Sequence, residues 1–413
     1  MPEPSLPVVV IGAGAAGMVA AIFASGGSRR VLLLERTRDG GRKILVSGGG
    51  RCNVLPSALQ PARFVTDSSP NSLRKILLSW PLAEQKRFFE DEVGIPLALE
   101  EETGKLFPAS DRARDVRDGL LRLASQRGVE TVFDSVVEDV LPSEGSWVVR
   151  LREAQVIRAS AVILATGGLS LPGTGSDGTG LRIARRLGHT VHETYPALTP
   201  LTADPPRHAA LAGISLDVTL TPETPPLRKG RFETRGGFLF THRGYSGPTV
   251  LDASHLAVRS RMAGGPPQSL FIGWTPLGPE EWDRRLREGA GNVAAPLRRA
   301  LPDRLAETLL AEAGVDPARP LPQLRRDERR RLVDLLTRYP LPWTGDGGYA
   351  KAEVTGGGVA LSEVDPRTLE SRRHPGLFLC GEMLDAFGPI GGHNFAWAWA
   401  TGRAAGLGSR RSD

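Results

Sequence analysis

Residues 7–36 read PVVVIGAGAAGMVAAIFASGGSRRVLLLER, and the reading of this stretch decides the fold. A β-branched run at 8–11 leads directly into Gly12, Ala13, Gly14, Ala15, Ala16 and Gly17. A helix of small residues follows over 18–25, then a second strand over 31–34 that ends on Glu35. Strand, glycine turn, helix, strand and acid in this order form a dinucleotide-binding fingerprint. Gly12 makes the tight turn, Gly14 lets the backbone approach a pyrophosphate, and Gly17 lets the helix lie on the strand. The unpaired amides and the positive end of the helix face the phosphates. Glu35 stands 23 residues past Gly12, where a carboxylate meets a ribose diol. The stretch 8–27 carries no charge, yet the leader MPEPSLP holds no Lys or Arg and glycine is frequent. A signal peptide or membrane anchor is therefore the weaker reading. A buried strand–helix unit predicts the same apolar run.

At 413 residues the chain exceeds one compact core and suits two or three domains. Its 40% hydrophobic and 24% charged residues are those of a soluble globular protein. Cys52 and Cys380 form no CxxC pair, which argues against a disulfide scaffold or a zinc cluster. No metal site is expected, and a reduced cytoplasmic setting fits best. The net charge of +6 suits anionic cofactors, anionic substrates or nucleic acid, or reflects composition bias alone, and does not choose between them.

After Glu35 come Arg36, Arg42 and Lys43, then Ser47, Gly48, Gly49, Gly50, Arg51, Cys52 and Asn53. Such amide-rich, basic turns bind anions and let a flat ring approach the backbone; the alternative is a mobile surface loop. Residues 71–127 read as helical, with amphipathic runs at 72–80 and 83–93. Asp111 is expected to cap a helix carrying Ala113, Val116, Leu120 and Leu123 on one stripe. Strands are expected at 131–137, 147–151 and 161–165, the last running into Thr166 and Gly167, with a helix over 181–187. From about Tyr195 proline becomes frequent, and Ile214, Leu216, Val218 and Leu220 alternate as in a half-buried strand. Strands at 238–240 and 270–274 follow.

Residues 280–339 read as helical and arginine-rich, with Leu297, Leu301, Leu305 and Leu309 at four-residue spacing. The densest charge run, 325–331, mixes signs and lacks aromatics, which marks a solvated helix face rather than a nucleic-acid groove. The block 195–345 thus reads as an inserted domain, strands first and helices second, between 1–194 and 346–413. Glycines return at 356–358, Cys380 falls in a buried strand, and Gly391, Gly392, His393 and Asn394 open a closing helix. Trp397 and Trp399 stand two apart on it and cannot share a face, so at least one belongs to the core.

Several motifs converge on one family. The fingerprint, GRKILVSGGGRCN at 41–53, ILATGG at 163–168, LFLCGE at 377–382 and GGHNFAWAWATG at 391–402 together resemble the bacterial FAD-dependent oxidoreductases of the BaiN/YhiN type. These are also described as NAD(P)/FAD-dependent or aminoacetone-oxidase-family flavoproteins. GKLFP at 104–108, FTHRGYSGP at 240–248 and KAEVTGGGV at 351–359 extend the resemblance over nearly the whole chain. Two departures stand out: the family usually carries an aromatic residue at the position of His393, and 275–345 is unusually variable and arginine-rich.

The resemblance implies an α/β fold: a discontinuous, glutathione-reductase-like FAD-binding Rossmann domain with the middle of the chain inserted. It implies tightly bound FAD. Gly12, Ala13, Gly14, Ala15, Ala16 and Gly17 would cradle the pyrophosphate and Glu35 would bind the adenosine ribose. Arg36, Arg42 and Lys43 would lie near the diphosphate, with Ser47, Gly48, Gly49, Gly50, Arg51, Cys52 and Asn53 beside the flavin. Val137 would pass the adenine, and Thr166 and Gly167 would form a turn near the cofactor. Glu382 and Asp385 fall to the ribityl and phosphate end. Gly391, Gly392, His393 and Asn394 fall to the pyrimidine edge, where a helix N-terminus stabilises the negative charge of a reduced flavin.

His393 and His242 are the candidate proton donors, with Tyr245 and Tyr349 behind them, each weighed against a structural or cofactor-contacting role. Lys351 suits flavin contact or plain surface equally. Cys52 lacks a partner thiol and reads as a packing residue. No second fingerprint is present, so NAD(P)H, if the donor, binds transiently over the flavin. The expected function is hydride transfer between flavin N5 and a small organic substrate, in a monomer or homodimer with no membrane partner. Two alternatives accompany it: an RNA-associated flavoprotein akin to those of tRNA modification, with nucleic acid the less expected partner, and a flavin redox sensor without turnover.

Overall fold

The computed structural model describes residues 5–223 and 232–410. The chain forms two compact units, one of Met1–Pro196 with Glu353–Asp413 and one of Ala197–Ala352. The first unit contains strand β1 (Val8–Ile11), helix α1 (Ala15–Ala24), β2 (Val31–Leu34), β3 (Val129–Val132), β4 (Ala161–Leu164), β5 (Leu377–Leu379) and the closing helix α2 (His393–Ser409). The five strands form a parallel sheet in the order β5-β4-β1-β2-β3. Every residue of β1, β2, β4 and β5 is buried, the pattern of a parallel sheet covered on both faces. The fold is therefore the α/β Rossmann architecture that the opening residues imply.

The two ends of the chain meet in this sheet through β4, which pairs Val9 with Val162 on one side and Phe378 with Ile163 on the other. Helix α2 then returns over α1. A Cβ on Gly402 would stand 2.4 Å from the carbonyl oxygen of Ala16, so only glycine lets α2 touch the backbone of α1. Trp397 and Trp399 are both buried, and their indole N–H groups donate to the carbonyls of Gly381 (3.1 Å) and Val54 (3.0 Å). Both faces of α2 are thus in the core.

The second unit is a seven-stranded antiparallel sheet with helices. Its order is Tyr339–Pro340, Leu270–Gly273, Ser215–Pro222, Thr234–Thr241, Gly244–Ser246, Leu201–Thr202 and Gly345–Asp346. Val218 and Leu220 of the alternating run are buried, and Leu216 is half-buried. Among the described residues no helix is long and apolar enough to cross a membrane.

Four local expectations are corrected. Residues 71–127 are not helical throughout, since Leu97–Glu100 and Lys105–Pro108 pair as antiparallel strands. Residues 131–137 are not one strand: β3 stops at Val132, and Asp134 turns at φ 54°. Asp134 N then donates to Thr37 O (3.2 Å) and Ser135 N to Glu35 O (2.8 Å) before a new strand starts at Val137. Asp111 does not cap the helix Ala113–Gln126, because Arg112 holds that position and Asp111 bonds Arg51 instead. The four leucines at 297–309 do not share a helix. Helix Ala294–Arg298 ends and Pro302 precedes a new helix, Asp303–Ala313, although all four leucines are buried.

Gly402→Val is expected to destabilise the protein by about 3 kcal/mol, because the α1–α2 backbone contact has no room for a side chain. Gly265→Ala, at a position with no atom within 4 Å of the new carbon, is expected to stay within about 0.5 kcal/mol. Denaturant midpoints measure both.

Candidate functional site

The fingerprint turn has the shape that a diphosphate requires. A Cβ on Gly12 would lie 2.6 Å from Ala165 O, and one on Gly17 would lie 1.8 Å from Gly12 O, so both glycines are closed in by backbone. Gly14 is the opposite case, with nothing within 4 Å of its Cβ direction. The first amide bonded within α1 is that of Met18, to Gly14 O at 3.0 Å, which leaves the amides of Ala15, Ala16 and Gly17 directed out of the helix end. Glu35 is only 7% exposed. Its Oε2 accepts from Ala13 N (2.7 Å), and its Oε1 from Thr37 N (2.8 Å) and Thr37 Oγ1 (2.7 Å). Each carboxylate oxygen carries two lone pairs, so Oε2 retains one for a further donor.

The basic residues that follow are paired. Arg36 is bonded to Asp177, Arg42 Nε lies 2.7 Å from Asp39, and Lys43 Nζ lies 2.5 Å from Glu382 and 2.6 Å from Ser170 Oγ. Glu382 is in turn held by the Ser170 hydroxyl and by both the amide (3.1 Å) and hydroxyl (2.9 Å) of Thr355. Asp385 is similarly engaged. Its Oδ2 accepts from Thr66 Oγ1, Asp67 N, Ser68 N and Ser68 Oγ at 2.7–2.9 Å. Burial pushes this carboxyl above its usual range despite the hydroxyl donors.

Residues 40–53 form the short helix Arg42–Val46 and then a turn in which Gly48, Gly49 and Gly50 take φ of 55°, 67° and 89°. Three successive left-handed residues favour glycine. Arg51 braces the turn, bonded to Glu100 (3.0 Å) and Asp111 (2.8 Å) with its guanidinium 3.9 Å above the Phe107 ring. Cys52 is fully buried and its thiol is pushed up to about 12, so it is a packing residue rather than a thiolate. Asn53 Oδ1 and Thr166 Oγ1 are buried without a hydrogen-bond partner. Gly167 adopts φ 73° directly after Thr166, and Val137 is buried at the start of the strand Val137–Ser143.

At the head of α2, Gly391 and Gly392 have φ of 97° and 91°. A Cβ on Gly392 would lie 2.6 Å from the carbonyl carbon of Leu55, and one on Gly391 would lie 3.2 Å from Lys105 Cε. Asn394 fastens the turn: its Oδ1 accepts from Gly388 N (2.9 Å) and its Nδ2 donates to Gly388 O (3.0 Å). His393 is 7% exposed, with Nδ1 3.3 Å from Ile390 O. A carbonyl only accepts, so Nδ1 carries the proton and Nε2 presents a lone pair. Burial, reinforced by the charge of Arg63, lowers the imidazole to about 4.

The other candidates lie in the second unit. His242 is exposed in the turn between Thr234–Thr241 and Gly244–Ser246, and Lys351 is exposed. Tyr245 is fully buried, its hydroxyl is raised by burial, and it bonds His208 Nδ1 at 2.9 Å. Tyr349 is half-buried. Sequence reasoning missed Ser170, Thr355, Lys105, and the bonds of Glu100 and Asp111 to Arg51. Ser170 and Lys105 adjoin or lie within quoted motifs; the acids carry no motif.

Within the first unit these features fit a flavin dinucleotide. The open face of Gly14 and the outward amides of α1 suit an anion, the left-handed glycine turn suits a flat ring, and the orphaned Asn53 Oδ1 calls for a donor. The model of the HI0933-like protein Rossmann domain matches residues 6–408. The chain is 34% identical over 400 residues to the ribosomal RNA dihydrouridine synthase of Escherichia coli K12, covering 95% of each protein. It is 31% identical over 410 residues to the 3-dehydro-bile acid delta(4,6)-reductase of Clostridium scindens, covering 96% of this chain and 97% of that protein. The crystal structure of 3-ketosteroid delta1-dehydrogenase from Sterolibacterium denitrificans matches with TM-score 0.53 at 14% identity, covering 100% of both chains; this likeness is one of fold.

The imidazole of His393 sets one pH dependence. The unfolded chain binds a proton near pH 6.5 that the folded chain refuses until about pH 4. Proton uptake therefore favours unfolding, and stability falls as pH drops through that window, by about 3 kcal/mol at its lower end. His393→Phe is expected to flatten this loss, read as the difference in urea midpoint between neutral and acid pH for the two proteins.

Proposed function

The chain belongs to the HI0933-like family and is an FAD-dependent oxidoreductase, and from that premise we propose that it reduces a carbonyl-conjugated C=C bond, that of uridine in ribosomal RNA. The observation that carries this reading is the end-to-end similarity to the dihydrouridine synthase. The bile acid reductase supports the reaction class, since both names describe saturation of a double bond. In uracil the C5=C6 bond is conjugated with the C4 carbonyl, so hydride adds at C6, negative charge passes to O4 and a proton enters at C5. A nicotinamide nucleotide is the two-electron donor, bound transiently because the chain has one dinucleotide fingerprint.

FAD, when bound, supplies the hydride from its N5. The chain's own residues hold and orient. The amides of Ala15, Ala16 and Gly17 and the face of Gly14 take the diphosphate, while Glu35 takes the adenosine ribose with its remaining lone pair. The Gly48–Gly50 turn and Asn53 would hold the ring system, and the first turn of α2 would offer the positive end of its dipole to the charge of the reduced flavin. His393, with a lone pair on Nε2, would accept from the flavin rather than donate a proton to substrate.

Two outcomes test this. Ribosomal RNA from cells lacking the gene is expected to lose a dihydrouridine, seen by mass spectrometry of nuclease fragments as the loss of two hydrogens. The purified holoprotein with NADPH is expected to restore it. Unchanged RNA in both arms, with reduction of an enone steroid instead, would transfer the reading to small molecules. Separately, Glu35→Ala is expected to weaken FAD retention at least about tenfold, because it removes a charged acceptor and orphans the Ala13 amide; flavin absorbance after dialysis measures it.

A further inference from the structure

The second unit holds a surface concavity of about 540 Å³ lined by Thr202, Ala203, Asp204, Pro206, Arg243, Thr344 and Gly345. Its walls are rigid. Thr202 pairs across the sheet with Gly244 on one side and with Gly345 on the other. Ala203 N donates to Arg243 O (2.9 Å), Thr344 N to Thr202 O (2.8 Å) and Asp204 N to Thr344 Oγ1 (2.8 Å). Gly244 makes this closeness possible, since a Cβ there would stand 2.2 Å from Leu201 O. The backbone of Arg243 is therefore fixed on the rim while its side chain is exposed.

What sets this rim apart is an arginine that lines a concavity. Residues 279–338 contain thirteen arginines and eleven acids; seven of the arginines are paired with an acid, whereas Arg299, Arg326 and Arg330 are exposed with no such partner among the described residues. Glu281 takes Arg284 and Arg285, Asp283 takes Arg329, Glu307 takes Arg298 and Glu328 takes Arg319. Arg243 has no carboxylate partner among the described residues, although Asp204 lines the same concavity. A second guanidinium lies behind the wall: Arg261 NH1 is 3.5 Å from the Cβ direction of Gly345 and 3.6 Å from Asp346. An unpaired guanidinium, two threonine side chains and a separate carboxylate complement one nucleotide of RNA, with phosphate on the first and ribose 2′-hydroxyl on the last.

We infer that the Arg243 concavity takes a ribose-phosphate of the RNA strand. This rests on the RNA reading of the function above. Arg243 neutralises a phosphodiester oxygen, and Asp204 accepts from the 2′-hydroxyl, which a DNA strand lacks.

The test uses the full-length holoprotein and a fluorescein-labelled oligouridylate about ten nucleotides long, titrated by anisotropy over a range of salt. Arg243→Ala is expected to weaken binding about tenfold and to lower the slope of log affinity against log salt by about 0.7. Arg284→Ala, already paired, is expected to change affinity less than about twofold. Asp204→Ala is expected to reduce the preference for oligouridylate over oligodeoxyuridylate. Retained flavin absorbance and melting temperature establish that each variant is folded. Absence of binding by the wild type at low salt, or an unchanged affinity and slope in Arg243→Ala, overturns the site. So does an effect confined to the NADPH affinity. Dihydrouridine formation is scored separately: RNA bound through Arg243 without reduction of uridine removes the functional reading and leaves the site, and reduction with an indifferent Arg243 does the reverse.

Discussion

The contact on which the rest of the first unit depends is that of two helix backbones, α1 and α2, touching without side chains between them. Gly402 against the carbonyl of Ala16 brings the last helix of the chain onto the first. Burying two glycine-bearing surfaces yields little apolar area by itself. Its value is geometric, because it fixes the N-terminus of α2 relative to that of α1. Two positive helix ends, starting at Ala15 and His393, are thereby set in one frame. Trp397 and Trp399 lock the same helix by donating to Gly381 and Val54, segments that flank it on opposite faces.

A second theme is the saturation of charged groups. Glu382 joins four pieces of chain: the short helix with Lys43, the turn after β4 with Ser170, the strand with Thr355, and its own turn after β5. Asp385 gathers the loop at 66–68 in the same way. Buried carboxylates need donors to replace the water they give up, and both have them, Glu382 on both oxygens and Asp385 on Oδ2. Their removal one at a time would leave an uncompensated charge, so these carboxylates order the loops around the candidate site whatever else they touch.

The fold was legible in the sequence to an unequal degree. The opening strand, glycine turn, helix and second strand could be read because each has a local cause: β-branched residues, spaced glycines, small helix formers. The closing helix was legible from Gly391–Gly392 and from the aromatic run. What escaped was long-range. Asp111 looks like a helix cap, and only the fold shows that Arg51, sixty residues earlier, claims its carboxylate. The leucine spacing at 297–309 persists across Pro302 because both flanking helices face the same core, not because one helix continues. The glycines at 356–358 resemble a nucleotide turn in composition; Gly356 instead makes room for the ring of Tyr195, 2.2 Å from its Cβ direction. At the candidate site the residue types near the fingerprint could be named from sequence, whereas their neutralising partners, Asp177, Asp39 and Glu382, could not.

That neutralisation has an electrical corollary. With Arg36, Arg42 and Lys43 each committed to an acid, the attraction felt by an anion at the head of α1 comes from oriented peptide dipoles at contact range. Mobile ions screen interactions that extend over a Debye length far more than those made by an amide touching its acceptor. A polyanion gripped this way stays in place at ionic strengths that strip strands held by lysine and arginine from a protein's surface. A cofactor seated at the head of α1 would therefore be nearly indifferent to salt.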